Sequence, residues 1–174
     1  ANGGNSGNYR SGDGSGGRIA IKGGTVSSPL QVRFSTVPGV IGDNQPDDSY
    51  HTTLADWGTV YIADTNILAD IPFNNQFNKT ELQVGTATNW SVAGMHLTNN
   101  SLRLAPQGFQ LDVAGNLTIG LNAELGVKGS IDCGGNLVLT NNGILSVYSG
   151  PTNAGSWHGA TVAVANDVWI HAGT

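Results

Sequence analysis

Apolar and polar residues alternate with period two in short runs along most of this chain. Arg18-Ile-Ala-Ile-Lys22, Leu30-Gln-Val-Arg-Phe34 and Gly58-Thr-Val-Tyr-Ile62 each put every second side chain on one face, the pattern of a half-buried strand. No run carries the capped i, i+3, i+4, i+7 apolar stripe that a helix longer than one turn requires. The pattern predicts an all-β chain.

From about residue 80 the alternation acquires a longer repeat. Gly115-Asn-Leu-Thr-Ile119 returns as Gly135-Asn-Leu-Val-Leu139, an offset of 20. The same offset sets Leu125 on Leu145, Val127 on Val147, and Leu111 and Val113 on Ile131 and Cys133. Carried backwards it pairs Leu82 and Val84 with Leu102 and Leu104, and Leu97 with Leu117. Carried forwards, Ile131, Cys133, Leu137 and Leu139 meet Val162, Val164, Val168 and Ile170 at an offset of 31, one coil plus eleven residues.

Short strands repeating at this period predict a parallel β-helix, a β-solenoid whose inward side chains stack coil on coil about 4.8 Å apart. Trp90 and Cys133 fall in inward columns, whereas Trp169 and His171 face outward. The Gly-Asn pairs suit tight corners with positive φ, and stacked Asn116 and Asn136 suit a side-chain amide ladder. A hairpin-built β-sandwich explains the alternation equally well but not the register held over successive coils.

Three regions follow. Residues 1–17, glycine-rich and without an aliphatic side chain beyond Ala1, read as a flexible tail or as an extended segment lying on a sheet. Residues 18–79 read as accessory or capping strands around a long loop at 38–57. Residues 80–174 read as coils, with an inserted loop at 151–160. The chain starts with Ala rather than Met, as a processed product does. Its last coil stops mid-pattern without a polar cap, so it is expected to pair with another chain or to mark a cut in a longer one.

Charge narrows the partners. Only 11% of residues are charged, the net charge is −5, and seven Lys and Arg are scattered singly. Nucleic acid needs clustered cations, so it is excluded as a partner. No apolar run is long enough for a membrane span. The single Cys133 forbids an internal disulfide. Low charge with eighteen Asn and many Ser, Thr and Gly reads as an extracellular or cell-surface bacterial protein.

Gly14-Ser-Gly-Gly-Arg-Ile-Ala-Ile21, then Trp57-Gly-Thr-Val-Tyr-Ile62, then the Gly-Asn-Leu coils resemble modules of large secreted bacterial β-helix proteins. These include adhesins of the autotransporter and filamentous-haemagglutinin kind and pectin-lyase-like polysaccharide-degrading enzymes. The resemblance implies a right-handed parallel β-helix in an extracellular setting. For the lyases it also implies clustered acids for Ca²⁺ and an Arg or Lys base. Residues 133–166 contain no Asp, Glu, Lys or Arg, so the later coils offer no such site.

Candidate chemistry lies mostly in loops. Asp43, Asp47, Asp48 and Asp56 crowd one stretch and supply hard oxygen ligands for Ca²⁺, or serve as solvated turn acids. Arg33, Tyr50 and His51 are the candidate catalytic groups should the chain be a lyase or glycoside hydrolase. The four histidines lack zinc-site spacing. Trp157 and His158 sit in the inserted loop, where solenoids often carry their binding face, and a Trp ring suits sugar C–H groups. Trp169 and His171, beside the bare last coil, are candidates for self-association. Two functions therefore compete: an adhesive or structural module touching glycans or further copies, and a polysaccharide-degrading enzyme. A carbohydrate-binding module is a third.

Overall fold

The structure is a computed structural model describing residues 1–3, 15–23, 32–39, 56–64, 76–86, 88–105, 108–148, 150–151 and 157–171. Three parallel sheets wind into a β-solenoid. The long sheet runs in the order β1 (Arg18–Ile21), β3 (Gly58–Ile62), β5 (Thr80–Val84), β8 (Ser101–Ala105), β11 (Glu124–Val127), β14 (Ile144–Val147). The second stacks β6 (Asn89–Val92), β9 (Gln110–Val113), β12 (Ser130–Cys133) and β17 (Thr161–Val164). The third stacks β7 (Met95–Thr98), β10 (Leu117–Gly120), β13 (Leu137–Leu139) and β18 (Val168–Ile170). Two short pairs complete it: β2 (Phe34–Ser35) parallel to β4 (Phe77–Asn78), and β15 (Gly150–Pro151) antiparallel to β16 (Trp157–His158), inserted between β14 and β17.

Each strand alternates because one face looks into the stack. Inward residues form continuous columns: Val60, Leu82, Leu104, Val127, Val147 in the long sheet; Trp90, Leu111, Ile131, Val162 in the second; Met95, Leu117, Leu137, Val168 in the third. Cys133 lies between Val113 and Val164 and is buried. The hydrophobic contribution of such a column is roughly 1.5–3 kcal/mol for each fully buried Leu, Ile or Val.

The offset of 20 holds between β10 and β13 and between β9 and β12, and the offset of 31 holds across the insertion. The earlier coils are wider. Leu82 pairs with Leu104, Thr80 with Leu102, and Leu97 with Ile119, while Leu117 sits on Met95. These offsets of 22 correct the backward extension of the repeat. An even shift keeps every side chain on its own face, so the wrong partner still predicts the right burial.

β1 and β3 pair parallel to each other, and β3 to β5, so the strands expected as an accessory or capping set are continuous with the stack. The described ends of the glycine-rich segment are bonded to it. The Ala1 ammonium donates to the Ser35 carbonyl at 2.8 Å, and Thr59 N–H donates to the Gly17 carbonyl at 3.1 Å. A Cβ at Gly16 would overlap the Thr36 carbonyl and the backbone of Gly58, so the backbones meet only because glycine stands there.

Corners differ from expectation. At the turns from the third sheet to the long one, positive φ falls on Asn99, Leu121, Asn122, Asn141 and Asn142. Gly115 and Gly135 do not adopt positive φ. They are needed for closeness, since a Cβ on Gly135 would lie 2.7 Å from the Gly115 backbone. The amide ladder runs from side chain to backbone: Asn116 Oδ1 accepts Asn136 N–H (2.9 Å), and Asn136 Oδ1 accepts Asp167 N–H (3.1 Å). Asn100, fully buried, closes the first corner. Its Oδ1 accepts the N–H groups of Gln76 and Phe77, both at 2.8 Å, and its Nδ2 donates to the Thr98 carbonyl at 2.7 Å.

Candidate functional site

The outward face of the long sheet gathers side chains from far apart in sequence. Register places Glu81 beside Arg103, and Arg103 beside Gly126. The Arg103 guanidinium lies 3.7 Å from the centre of the Trp57 ring and 5.3 Å from that of Tyr148. A carboxylate oxygen of Glu124 stands 3.9 Å from it, and Lys128 reaches across to Glu81 at 3.0 Å. Gly126 makes room: a Cβ there would meet Arg103 Cγ at 2.7 Å and the Tyr148 ring at 3.0 Å. The result is a half-buried plate of two aromatic rings and four mutually compensating charges. Chemically it holds an arginine flat and leaves its charge partly paired.

A second feature is a groove of about 280 Å³ on the second sheet, lined by Ser91, Val92, Asp112, Val113, Ala114, Asp132 and Gly134. Asp112 and Asp132 are directly paired in register. Asp112 accepts hydrogen bonds from Gln110 Nε2 (2.6 Å) and Ser91 Oγ (3.2 Å).

The third feature is the end of the stack. Along the third sheet Met95, Leu117 and Leu137 are 2%, 0% and 4% exposed, but Val168 above them is 53% exposed and Ile170 reaches 75%. Val147, inward on β14, is 43% exposed. On the outward side Trp169 is 51% exposed, its ring edge-on to His171 with centres 6.2 Å apart.

The candidates named from sequence distribute unevenly over these features. Trp169 and His171 stand together on the outer face of the terminal coil. Arg33 and Asp56 are exposed, and the Asp56 carbonyl accepts the Gly16 N–H at 3.1 Å. Asp43, Asp47, Asp48, Tyr50 and His51 lie outside the described residues. Trp157 and His158 form β16, and their side chains lie outside the description. Among the described residues no group of three or more His, Cys, Asp or Glu is placed to hold a metal ion, and no helix is long and apolar enough to cross a membrane. Sequence reading missed Arg103, Trp57 and Tyr148 as a group. The signal that finds them is the outward columns, which require the 22-residue register. No protein-family model, curated protein or solved structure matches the chain.

Proposed function

We propose that this chain is a structural or adhesive β-solenoid module of an extracellular surface protein, working by contact rather than by turnover. One observation carries the reading. Among the described residues the inward column of the third sheet is buried as far as Leu137, and Val168 and Ile170 of β18 meet solvent. Exposed apolar surface flanked by unpaired strand edges is a surface for strand addition. A stack this low in charge presents rows of Asn, Ser and Thr at coil spacing, which suits glycan or protein contact over nucleic acid. The test is concentration-dependent association of the purified chain. Light scattering coupled to size exclusion is expected to show self-association that Val168→Asp/Ile170→Asp abolishes. A strictly monomeric chain at high concentration overturns the reading.

A second reading, polysaccharide hydrolysis, is favoured by Asp112 and Asp132. Register pairing sets the two carboxylates in one column of the second sheet beside the groove, and glycosidases work with a pair of carboxyl groups. Release of reducing ends from neutral or uronic polysaccharides, lost in Asp112→Asn, would establish it in place of the first.

A further inference from the structure

The two ion pairs on the outer face of the long sheet differ in how far they close. Lys128 Nζ donates to a Glu81 carboxylate oxygen at 3.0 Å, a charge-assisted hydrogen bond. Arg103 and Glu124 stop at 3.9 Å between a terminal guanidinium nitrogen and the carboxylate, too far for a hydrogen bond. The Arg103 Nε–H is buried and has no acceptor among the described residues. What holds the guanidinium is aromatic: the Trp57 ring centre lies at 3.7 Å and that of Tyr148 at 5.3 Å. Contacts of this kind orient a planar cation without using its N–H groups. A pre-oriented set of donors therefore stands beside an acceptor that it does not reach.

That gap has a definite chemistry. A hydroxyl group can accept one hydrogen bond and donate another, so a single oxygen between Arg103 and Glu124 satisfies both. Bonds of about 2.8 Å to each partner are met by an oxygen set off the line joining them. Both side chains are about a quarter exposed, at 24% and 25%, so the position is reachable from solvent. The partly buried rings of Trp57 and Tyr148 supply apolar surface for C–H groups beside it. An anion is the poorer occupant. Arg103 and Lys128 are matched by Glu124 and Glu81, so the plate carries no net charge. A carboxylate set against Arg103 would also lie beside Glu124, like charge against like.

We propose that the plate of Trp57, Arg103, Glu124 and Tyr148 binds a neutral glycan, with one sugar hydroxyl bridging Arg103 and Glu124 and the ring carbons against the aromatic side chains. This rests on the contact reading above and assigns that reading a glycan site on the side of the stack, away from the terminal coil. The closed Lys128–Glu81 pair borders the site, since register sets Glu81 beside Arg103.

The test is affinity electrophoresis of the full chain through gels containing starch, galactomannan, xylan or xyloglucan, with polygalacturonate and alginate as acidic counterparts. Wild type is expected to be retarded by at least one neutral polysaccharide and by neither acidic one. Arg103→Lys keeps the charge and loses the planar stacking, and is expected to raise Kd roughly tenfold. Glu124→Gln is expected to raise Kd roughly threefold with an unchanged urea midpoint, a split that a purely structural role does not produce. Circular dichroism confirms that both variants keep the β fold. His96→Ala, exposed on the third sheet, is expected to bind as wild type does. Retardation that survives both plate substitutions, retardation by acidic polysaccharides alone, or none by any neutral polysaccharide overturns the site. Light scattering on the same samples separates the two readings: self-association without glycan binding leaves the contact reading standing, and a monomer that binds no polysaccharide overturns both.

Discussion

The interior coils and the terminal coil use the same side chains in the same columns and differ only in what lies above them. Leu137 in β13 is 4% exposed because β18 covers it, whereas Val168 in β18 is 53% exposed. In a solenoid each coil gains most of its stability from its neighbours. The difference shows that burial here is a property of position in the stack.

The most forceful way to break this comparison is to empty the inward face of the third sheet at two heights. Leu117→Ala, fully buried between Met95 and Leu137, is expected to cost roughly 3–5 kcal/mol. Ile170→Ala in dilute solution should cost less than about 0.5 kcal/mol. Urea denaturation of the two variants checks it, and similar losses would contradict the difference. A polar position sharpens the point. Asn100→Ala leaves the buried N–H groups of Gln76 and Phe77 without their acceptor, a loss of roughly 2–4 kcal/mol readable in the same titration. On the outer face Arg103→Lys gives up the flat stacking between Trp57 and Tyr148 and is expected to cost about 1 kcal/mol. Glu124→Gln, at a long 3.9 Å contact between side chains about a quarter exposed, should change little. One effect has the opposite sign. Leu121 is 48% exposed with φ of 39°, a conformation Asn tolerates better. Leu121→Asn is expected to raise stability by about 0.5–1 kcal/mol, seen as a higher melting temperature.

The sequence exposed the winding and the inward face because polarity alternates with period two, and the coils from β9 to β13 repeat without insertions. It did not expose the register of the earlier coils. The corner between β8 and β9 spans residues 106–109, whereas that between β11 and β12 spans only 128–129. Where the offset grows from 20 to 22 the change is even, so polarity cannot reveal it: Leu82 is buried whether it pairs with Leu102 or Leu104. The odd offsets, 21 from β6 to β9 and 23 from β8 to β11, are taken up at the corners between strands. The continuity of β1 with β3 was hidden by a connection nearly two coils long, which carries Arg18 onto Thr59. The Trp57, Arg103 and Tyr148 plate was invisible for a related reason. Its members lie more than forty residues apart, and only correct register brings them over one another. The last described coil, by contrast, was legible, since Val168 and Ile170 continue the columns of Leu137 and Leu139 across the insertion.

Residue-resolved amide hydrogen exchange on dilute, monomeric protein tests the coil stack and its open end together. The backbone N–H groups of β10, bonded to β7 on one side and β13 on the other, should all exchange slowly. In β18 the Trp169 N–H, facing β13, should be protected while those of Val168 and Ile170 exchange quickly. Fast exchange throughout Leu117–Ile119, or equal protection of all three β18 amides in the monomer, would contradict a parallel stack that ends in an uncovered coil.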